Sequence, residues 1–266
     1  MNNLHTAAKA CLDASDPGEK LRLTHATWQA LEAGELHPDP MPAAREPMTA
    51  PGRPARPRLV PQRQVPRRGL GTPEGRAALV HAIAHIEFNA IDLAWDAVYR
   101  FRHFPAAYYA DWIGVAADEA RHFVLLRDRL REFGYAYGDF DAHNGLWEMA
   151  EKTAHDGLAR MALVPRVLEA RGLDVTPAMI VKLRALGDDA TATILETILR
   201  EEIAHVAAGS RWFRWYCERE GTDARVRFRE LLDRYAHGSL RGPFNRDARL
   251  AAGFDAEDIA ALEHLA

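Results

Sequence analysis

Two copies of one short pattern constrain this chain more than any other feature. Glu119-Ala-Arg-His122 and Glu202-Ile-Ala-His205 both read Glu-x-x-His, and both lie in strongly helical stretches. Residues three positions apart share one face of an α-helix, so each pair presents a carboxylate and an imidazole together. Each pair therefore offers two side chains that could bind the same metal ion.

A glutamate stands upstream of each pair at nearly the same distance. Glu87 precedes Glu119 by 32 residues, and Glu169 precedes Glu202 by 33. Glutamates from two helices, with Glu-x-x-His from two others, are the ligand set of a carboxylate-bridged dimetal site in a four-helix bundle. One Glu-x-x-His alone is a weak signal, so the prediction depends on the repeated spacing.

We therefore predict that the chain binds two divalent metal ions. Four carboxylates supply the negative charge that balances two such ions, and the two imidazoles bind as neutral groups. Oxygen-rich ligation with one imidazole for each ion favours iron first and manganese second. The predicted ligands are Glu87, Glu119, His122, Glu169, Glu202 and His205. The alternative is that these residues form surface ion pairs and a satisfied core histidine.

An acidic residue stands four positions before each histidine of the two pairs. Asp118 precedes His122, and Glu201 precedes His205. An acid at that offset could accept a hydrogen bond from the imidazole nitrogen that does not bind metal, and so fix the tautomer. The alternative is that each acid is solvated and paired with a neighbouring arginine.

Four aromatic residues share the ligand faces of the same two helices. Tyr108 and Trp112 lie 11 and 7 residues before Glu119. Trp212 and Tyr216 lie 7 and 11 residues after His205. If these two helices run antiparallel, the four rings gather at one end of the site. They would then form an apolar substrate pocket or an electron relay, and the alternative is ordinary core packing.

The chain is predicted to be all-α and to fall into three parts. Residues 1–72 hold two short helices and an extended arm, because ten of the fifteen prolines fall between Pro38 and Pro73. Residues 73–220 hold a four-helix bundle with the dimetal site. Residues 221–266 form a C-terminal helical extension.

Cap and breaker residues set the predicted helix ends in the first half of the chain. Asp16-Pro17-Gly18 separates the two short helices. The first long helix runs from Thr72 to about Phe101, and the second from Pro105 to near Gly134.

The second half contains a predicted interruption. A third helical region ends at Gly172, which suits a C-cap, and a separate short helix starts at Pro177. The last long helix ends near Glu220, and smaller helices surround a loop at 238–245.

Charge and composition exclude several classes of protein. A net charge of −4 gives no general attraction to nucleic acid or anionic membrane. No apolar run approaches the length of about 20 residues that spans a bilayer, and no signal peptide is expected at the N-terminus. Cys11 and Cys217 are too few and too far apart for a disulfide framework, so we expect a cytoplasmic protein without a membrane partner.

The proline-rich arm also carries a run of arginines, at positions 53, 56, 58, 63, 67 and 68. The run could meet RNA or another polyanion. The favoured interpretation is that it clamps the arm onto acidic helix surfaces.

The ligand motifs resemble those of the ferritin-like di-iron carboxylate superfamily. The residues that carry this resemblance are His85-Ile86-Glu87, Asp118-Glu119-Ala120-Arg121-His122, Glu169-Ala170-Arg171-Gly172 and Glu202-Ile203-Ala204-His205. The whole chain more closely resembles an uncharacterised bacterial family of ferritin-like proteins with a domain of unknown function. The stretches that fit it are 51–54, 79–87, 169–174 and 242–245. The resemblance implies a ferritin-like bundle and a metal site but no established reaction.

The leading functional hypothesis is a dinuclear metalloprotein that activates O₂ or peroxide, as a hydroxylase or oxidase with an unknown small-molecule or RNA substrate. An external electron donor is expected, because the sequence shows no flavin or nucleotide motif and no four-cysteine iron site. The first alternative is a ferroxidase, storage or scavenging protein. The second is a non-enzymatic binding protein in which the metals are structural.

Overall fold

The computed structural model describes residues 3–38, 48–236 and 240–266. Part of the predicted arm, residues 39–47, lies outside the described residues, and so does 238–239 of the predicted C-terminal loop. The described residues form helices, turns and two isolated bridges, with no β-strand among them. The prediction of an all-α chain is therefore confirmed.

The chain divides into two compact units, Met1–Glu151 and Lys152–Ala266. The three-part division that the sequence indicated is a different partition, and it stays a prediction. The helices of the first unit are α1 (Leu4–Asp13), α2 (Pro17–Glu32), α3 (Pro73–Arg100), α4 (Ala106–Glu132) and α5 (Gly145–Lys152), the last of which ends at the division. A 3₁₀ turn at Gln62–Gln64 interrupts the arm.

Helix starts in the first unit follow the predicted caps. The side chain of Asp16 accepts a hydrogen bond from the backbone of Glu19 at the start of α2. Thr72 does the same for Gly75 at the start of α3, where Pro73 occupies the first helical position. These caps satisfy backbone donors that have no partner within the helix.

The long helices α3 and α4 pack along one another, with α1 against α3 and α2 against α4. Trp95 is fully buried, and its indole donates a hydrogen bond of 2.9 Å to the Thr24 hydroxyl. Lys20 and Asp92 form a buried ion pair that links α2 to α3. The N-terminal helices are thus part of the core around α3.

Helix α3 is long and apolar enough to pass a test for a membrane span. However, 78% of its most apolar window is buried inside the protein. That burial fits a core helix, which can be apolar all round because its neighbours cover it.

At Gly52, the backbone of the arm passes close to the backbone at the C-terminal end of α1. The Gly52 amide donates a hydrogen bond of 2.7 Å to the Leu12 carbonyl at the end of α1. A Cβ at this position would lie 2.2 Å from the carbonyl oxygen of Asp13. Only glycine allows the arm to pass so near the helix end.

Farther along, the arm pairs with the loop between α4 and α5. Val60 donates to the Ala142 carbonyl at 2.8 Å, and Ala142 donates to the Arg58 carbonyl at 3.0 Å. The Arg58 guanidinium also makes two hydrogen bonds to the Asp141 carboxylate, at 3.0 and 2.6 Å. Arg68 of the same run lies 3.2 Å from Glu74 in the first turn of α3. Arginines of the arm therefore pair with acids both in a loop and on a helix, and their action as a clamp stays a prediction.

The second unit consists of α6 (Gly157–Leu163), a π-helix (Val164–Glu169), α7 (Ala170–Ala185), α8 (Asp189–Glu220), α9 (Ala224–Tyr235), α10 (Arg246–Ala251) and α11 (Ala256–Leu265). The π-helix and α7 pack against α8, and α10 contacts both α7 and α8. Helix α8 ends at Glu220, as predicted, because Gly221 adopts the left-handed conformation with φ 65°.

The predicted helix end at Gly172 and the separate helix start at Pro177 are wrong. Helix α7 continues through both positions. A proline inside a helix removes the N–H that would bond the carbonyl four residues earlier, here that of Leu173. The side-chain amide of Asn245 donates to this carbonyl at 3.1 Å, so a partner distant in sequence satisfies it.

Candidate metal centre

The first unit gathers three of the predicted ligands, Glu87 from α3 and Glu119 and His122 from α4. His122 Nδ1 lies 3.1 Å from Glu87 Oε2 and 3.4 Å from Glu119 Oε2. The potential ligand atoms of these three residues all lie within 4.8 Å of one another. Side chains 32 and 35 positions apart in the sequence thus converge on one point, as the spacing predicted.

All three side chains are buried, with relative exposures of 4% for Glu87, 1% for Glu119 and 0% for His122. Burial, together with the neighbouring charge of Glu119, raises the pKa of Glu87 well above its usual value. Burial alone would lower the pKa of His122, but its hydrogen bonds to the two carboxylates outweigh this and raise it. A buried cluster of acids is stable only if positive charge accompanies it, either as protons or as a cation.

This donor set fits a divalent metal ion. Metal–oxygen and metal–nitrogen bonds are about 2.1 Å long, so ligand atoms on opposite sides of one ion are about 4.2 Å apart. Atoms already within 4.8 Å of one another need only small shifts to surround one ion. Carboxylate and imidazole side chains are donors that divalent metal ions take in proteins. The cluster could therefore hold a metal ion.

The second unit carries the other Glu-x-x-His pair on α8. His205 Nδ1 lies 3.3 Å from Glu202 Oε1, so the two side chains share a face as the spacing predicted. Both residues are buried, with exposures of 9% for Glu202 and 2% for His205. Glu169 is the last residue of the π-helix that packs against α8. Its role as a ligand stays a prediction.

The two acids proposed to support the histidines have arginine neighbours. Asp118 is partly exposed and lies 2.7 Å from Arg121, and Glu201 lies 3.5 Å from Arg200. These ion pairs are the alternative that the sequence allowed. A supporting role for either acid toward its histidine stays a prediction.

The four aromatic residues that share the ligand faces pack against neighbouring rings within their own units. Tyr108 and Trp112 are almost completely buried, and Tyr108 stacks on Phe104 with ring centroids 3.8 Å apart. Trp212 is buried and Tyr216 is half-buried, and both make edge contacts with Trp215. Core packing accounts for these contacts. The predicted gathering of the four rings at one end of a site stays a prediction.

The π-helix that ends at Glu169 is a feature that sequence reasoning missed. Glu169 was expected on an ordinary helix, but a π-helix inserts one extra residue in the turn and widens it. Pro165 was the available signal, because proline has no N–H to donate to an i−4 carbonyl and so favours a change of hydrogen-bond pattern. Single π turns in helices occur frequently at functional sites.

Comparison with known proteins gives a family but no activity. The model of a family described as "protein of unknown function (DUF455)" matches residues 13–260. An uncharacterised protein from Haemophilus influenzae is 43% identical over 262 residues, which cover 94% of this chain and 90% of that protein. No solved structure gives a significant match. This chain belongs to the DUF455 family, whose function is unknown.

Proposed function

We propose that this protein is a dinuclear carboxylate metalloprotein of ferritin-like architecture that activates O₂ or peroxide, as a hydroxylase or oxidase. Glu87, Glu119 and His122 would bind one divalent ion. Glu169, Glu202 and His205 would bind the other. The observation that carries the proposal is the buried convergence of the first three residues.

The energetics of that cluster support metal binding over a purely structural role. Two carboxylates are taken out of water, which costs several kcal/mol for each charge if nothing compensates it. His122 Nδ1 lies 3.1 Å from Glu87 and 3.4 Å from Glu119, so the imidazole contacts both carboxylates. Buried acids whose pKa is raised by burial and by each other's charge are typical of a functional site.

The repeated spacing supports a second, equivalent set of ligands. Glu202 and His205 reproduce on α8 the arrangement of Glu119 and His122 on α4. Oxygen-rich ligation favours iron, with manganese as the second choice. When bound, a pair of reduced iron ions supplies the electrons that activate O₂ or peroxide.

The protein's own residues would have three tasks. The glutamates and histidines hold the ions, and the buried side chains around them exclude bulk water. The hydrogen bond between His122 and Glu87 holds a proton in the metal-free cluster, and that proton must leave when a cation binds. Because the sequence carries no flavin or nucleotide motif, we propose an external electron donor.

We propose a small-molecule substrate and a cytoplasmic location. Arg58 of the arm is ion-paired to Asp141, which supports packing and not RNA contact at this position. Ionisable groups with strongly shifted pKa values are concentrated at functional sites, which favours a reactive over a purely structural role for the metals. Metal storage, the other alternative, is an outcome of the experiment below.

Anaerobic loading with Fe(II) tests the proposal. We expect about two iron ions per chain, a change in near-ultraviolet absorbance when O₂ is added, and O₂ consumption that continues with an electron donor. Consumption of O₂ limited to the bound iron, with release or accumulation of ferric iron, would indicate a storage protein. Fewer than two ions per chain, or no reaction with O₂, would refute the proposed function.

A further inference from the structure

Two segments of the second unit contact each other next to Glu169. One is the start of α7, which directly follows Glu169, and the other is the segment that precedes α10. The backbone amide of Asn245 donates to Asp174 Oδ1 at 2.9 Å. Arg171 donates to the carbonyl of Arg241 at 2.7 Å. The segment before α10 is therefore tied to the first turns of α7 at two points.

Asn245 adds a third tie with a specific backbone purpose. Its side-chain amide donates to the Leu173 carbonyl, which Pro177 cannot satisfy. Its side-chain oxygen accepts from the backbone of Ala248 and caps α10. The Asn245 side chain thus supplies the hydrogen bond that α7 lacks at Leu173 and also caps the N-terminus of α10.

Arg249 on α10 reaches both sides of Glu169. It is 2% exposed and makes two hydrogen bonds to the Asp174 carboxylate, at 2.9 and 2.7 Å. Its Nη2 also lies 3.4 Å from the Ala170 carbonyl, and its Nη1 lies 3.5 Å from the Arg166 carbonyl. The guanidinium therefore contacts backbone just before and just after the proposed ligand.

A second buried arginine anchors the beginning of the same turn. Arg166 donates to the Asp258 carboxylate of α11 at 2.6 Å. Its guanidinium also lies 4.2–4.8 Å from the centroids of three phenylalanine rings, those of Phe213, Phe228 and Phe254. Cation–π contacts and a buried ion pair fix the side chain from several directions.

A π-helix needs such anchors because it competes with the ordinary α-helical register. Each residue of an α-helix rotates the side-chain direction by about 100°, since 3.6 residues complete a turn. Loss of the extra residue from the turn would rotate Glu169 by about that angle relative to α6. Contacts on both sides of Glu169 resist this change of register.

We propose that Asn245 and Arg249 are positioning residues that hold the π-helix in register and thereby present Glu169 to the metal bound by Glu202 and His205. This inference rests on the proposed function, because it takes Glu169 as a ligand. It assigns the C-terminal segment a role in metal binding, beyond its contribution to the core.

The test uses Mn(II) as the probe, with the full-length protein and two variants. Arg249→Lys keeps the buried positive charge but loses the two-pronged contact with Asp174. Asn245→Ser keeps the α10 cap but removes the donor to Leu173. Arg246→Lys is the matched control, because Arg246 lies on the same helix but is exposed and paired with Glu263.

Loss of a group that supports a metal ligand costs about 10–100-fold in metal affinity. We expect Arg249→Lys to lower the affinity for one of the two Mn(II) ions by that factor and to leave the affinity for the other unchanged. Electron paramagnetic resonance should then show isolated Mn(II) in place of a coupled pair. Asn245→Ser should act in the same direction with a smaller factor, and Arg246→Lys should match the wild type. Helix content is followed by circular dichroism.

The possible failures are distinct. Wild-type protein that binds fewer than two ions refutes the proposed function, and the inference falls with it. Wild-type protein that binds two ions, with folded variants that bind both as tightly, overturns the inference alone. An equal loss of affinity for both ions in a folded variant also overturns the inference. If Arg249→Lys does not fold, the milder Asn245→Ser decides between these outcomes.

Discussion

Gly209 of α8 lies directly against Pro165 of the π-helix. A Cβ built on Gly209 would lie 2.3 Å from both Cβ and Cγ of that proline ring. The contact occurs four residues after His205 on one side and four residues before Glu169 on the other. The absence of a side chain at one position thus sets how closely the π-helix approaches α8.

Gly209→Ala should therefore destabilise the protein, although alanine is the better helix former. Forcing a methyl group into a packed contact costs about 1–3 kcal/mol, which exceeds the roughly 1 kcal/mol gained in helix propensity. Chemical denaturation measures the change. Gly172→Ala in α7 is the control, because nothing lies within 4 Å of its added Cβ. That variant should be more stable than the wild type, and stabilisation of Gly209→Ala would contradict the packing argument.

Glu119→Gln should remove one metal ion from the proposed pair. The amide keeps the shape of the side chain but loses the negative charge that a divalent ion needs. We expect metal content after anaerobic loading with iron to fall from about two ions per chain to about one. Glu132→Gln on the same helix is the control, since that carboxylate is exposed and paired with Arg129. Equal metal content in the two variants would remove Glu119 from the ligand set.

The buried pair of Lys20 and Asp92 should behave as a unit. Lys20 also donates to the carbonyls of Cys11 and Leu12, at 3.1 and 3.3 Å. Burial raises the pKa of Asp92 to about 6, even though Lys20 opposes the shift. Lys20→Met alone leaves a buried carboxylate without a counter-charge and should cost about 3–5 kcal/mol of stability.

The double variant Lys20→Met with Asp92→Leu should recover most of that loss, because an apolar pair of similar volume avoids the cost of burying charge. A thermodynamic cycle from denaturation curves of the two single variants and the double variant measures the coupling. Additive effects of the two substitutions would show that the ion pair contributes little.

Buried His81 should make the protein less stable in mild acid. Burial lowers its pKa from 6.5 to about 4, and its Nε2 accepts a hydrogen bond of 2.9 Å from the Gly138 amide. The unfolded chain therefore takes up a proton first as pH falls, so this contribution is complete above pH 6.5 and declines toward pH 4. At about 1.4 kcal/mol for each pKa unit, the decline amounts to about 3 kcal/mol.

His81→Gln checks this assignment, because the glutamine side-chain oxygen can still accept from Gly138 but has no proton to gain. The variant should show a shallower loss of stability between pH 6.5 and pH 4 than the wild type. The measurement is the free energy of unfolding across that range. Identical slopes in the two proteins would assign the acid sensitivity to other groups.

Gly52→Ala should release the arm from the first unit. The added Cβ would meet the Asp13 carbonyl at 2.2 Å, so the chain must move away from the end of α1. We expect faster tryptic cleavage after Arg58 and Arg63, the arginines of this stretch that are not followed by proline, with the helices intact by circular dichroism. Gly69→Ala has open space around its added Cβ and serves as the control. Equal cleavage of both variants would show that the close approach does not hold the arm.

Local sequence signals predicted the ordinary helices well. Proline at the first helical position after Thr72 marked the start of α3, and Gly221 follows the predicted end of α8. These features depend on residues within one turn of the helix end, so no distant contact is needed to recognise them. The convergence of Glu87 with Glu119 and His122 was also predictable, because repeated spacing along two long helices restricts which faces can meet.

The same local rules failed around Glu169. Gly172 and Pro177 are usual signs of a helix end and a helix start, yet α7 passes through both. The decisive contacts come from Asn245 and Arg249, more than seventy residues away in sequence. A local signal cannot include a donor that only the folded chain brings to the Leu173 carbonyl.

By itself, the sequence determined that this protein is helical and which carboxylates and imidazoles share helix faces, because both follow from the fixed period of the α-helix. Only the tertiary structure decided the π-helix at Glu169, the continuation of α7 and the docking of the arm at Gly52. Those features depend on backbone groups that are satisfied, or approached within contact distance, by residues far away along the chain.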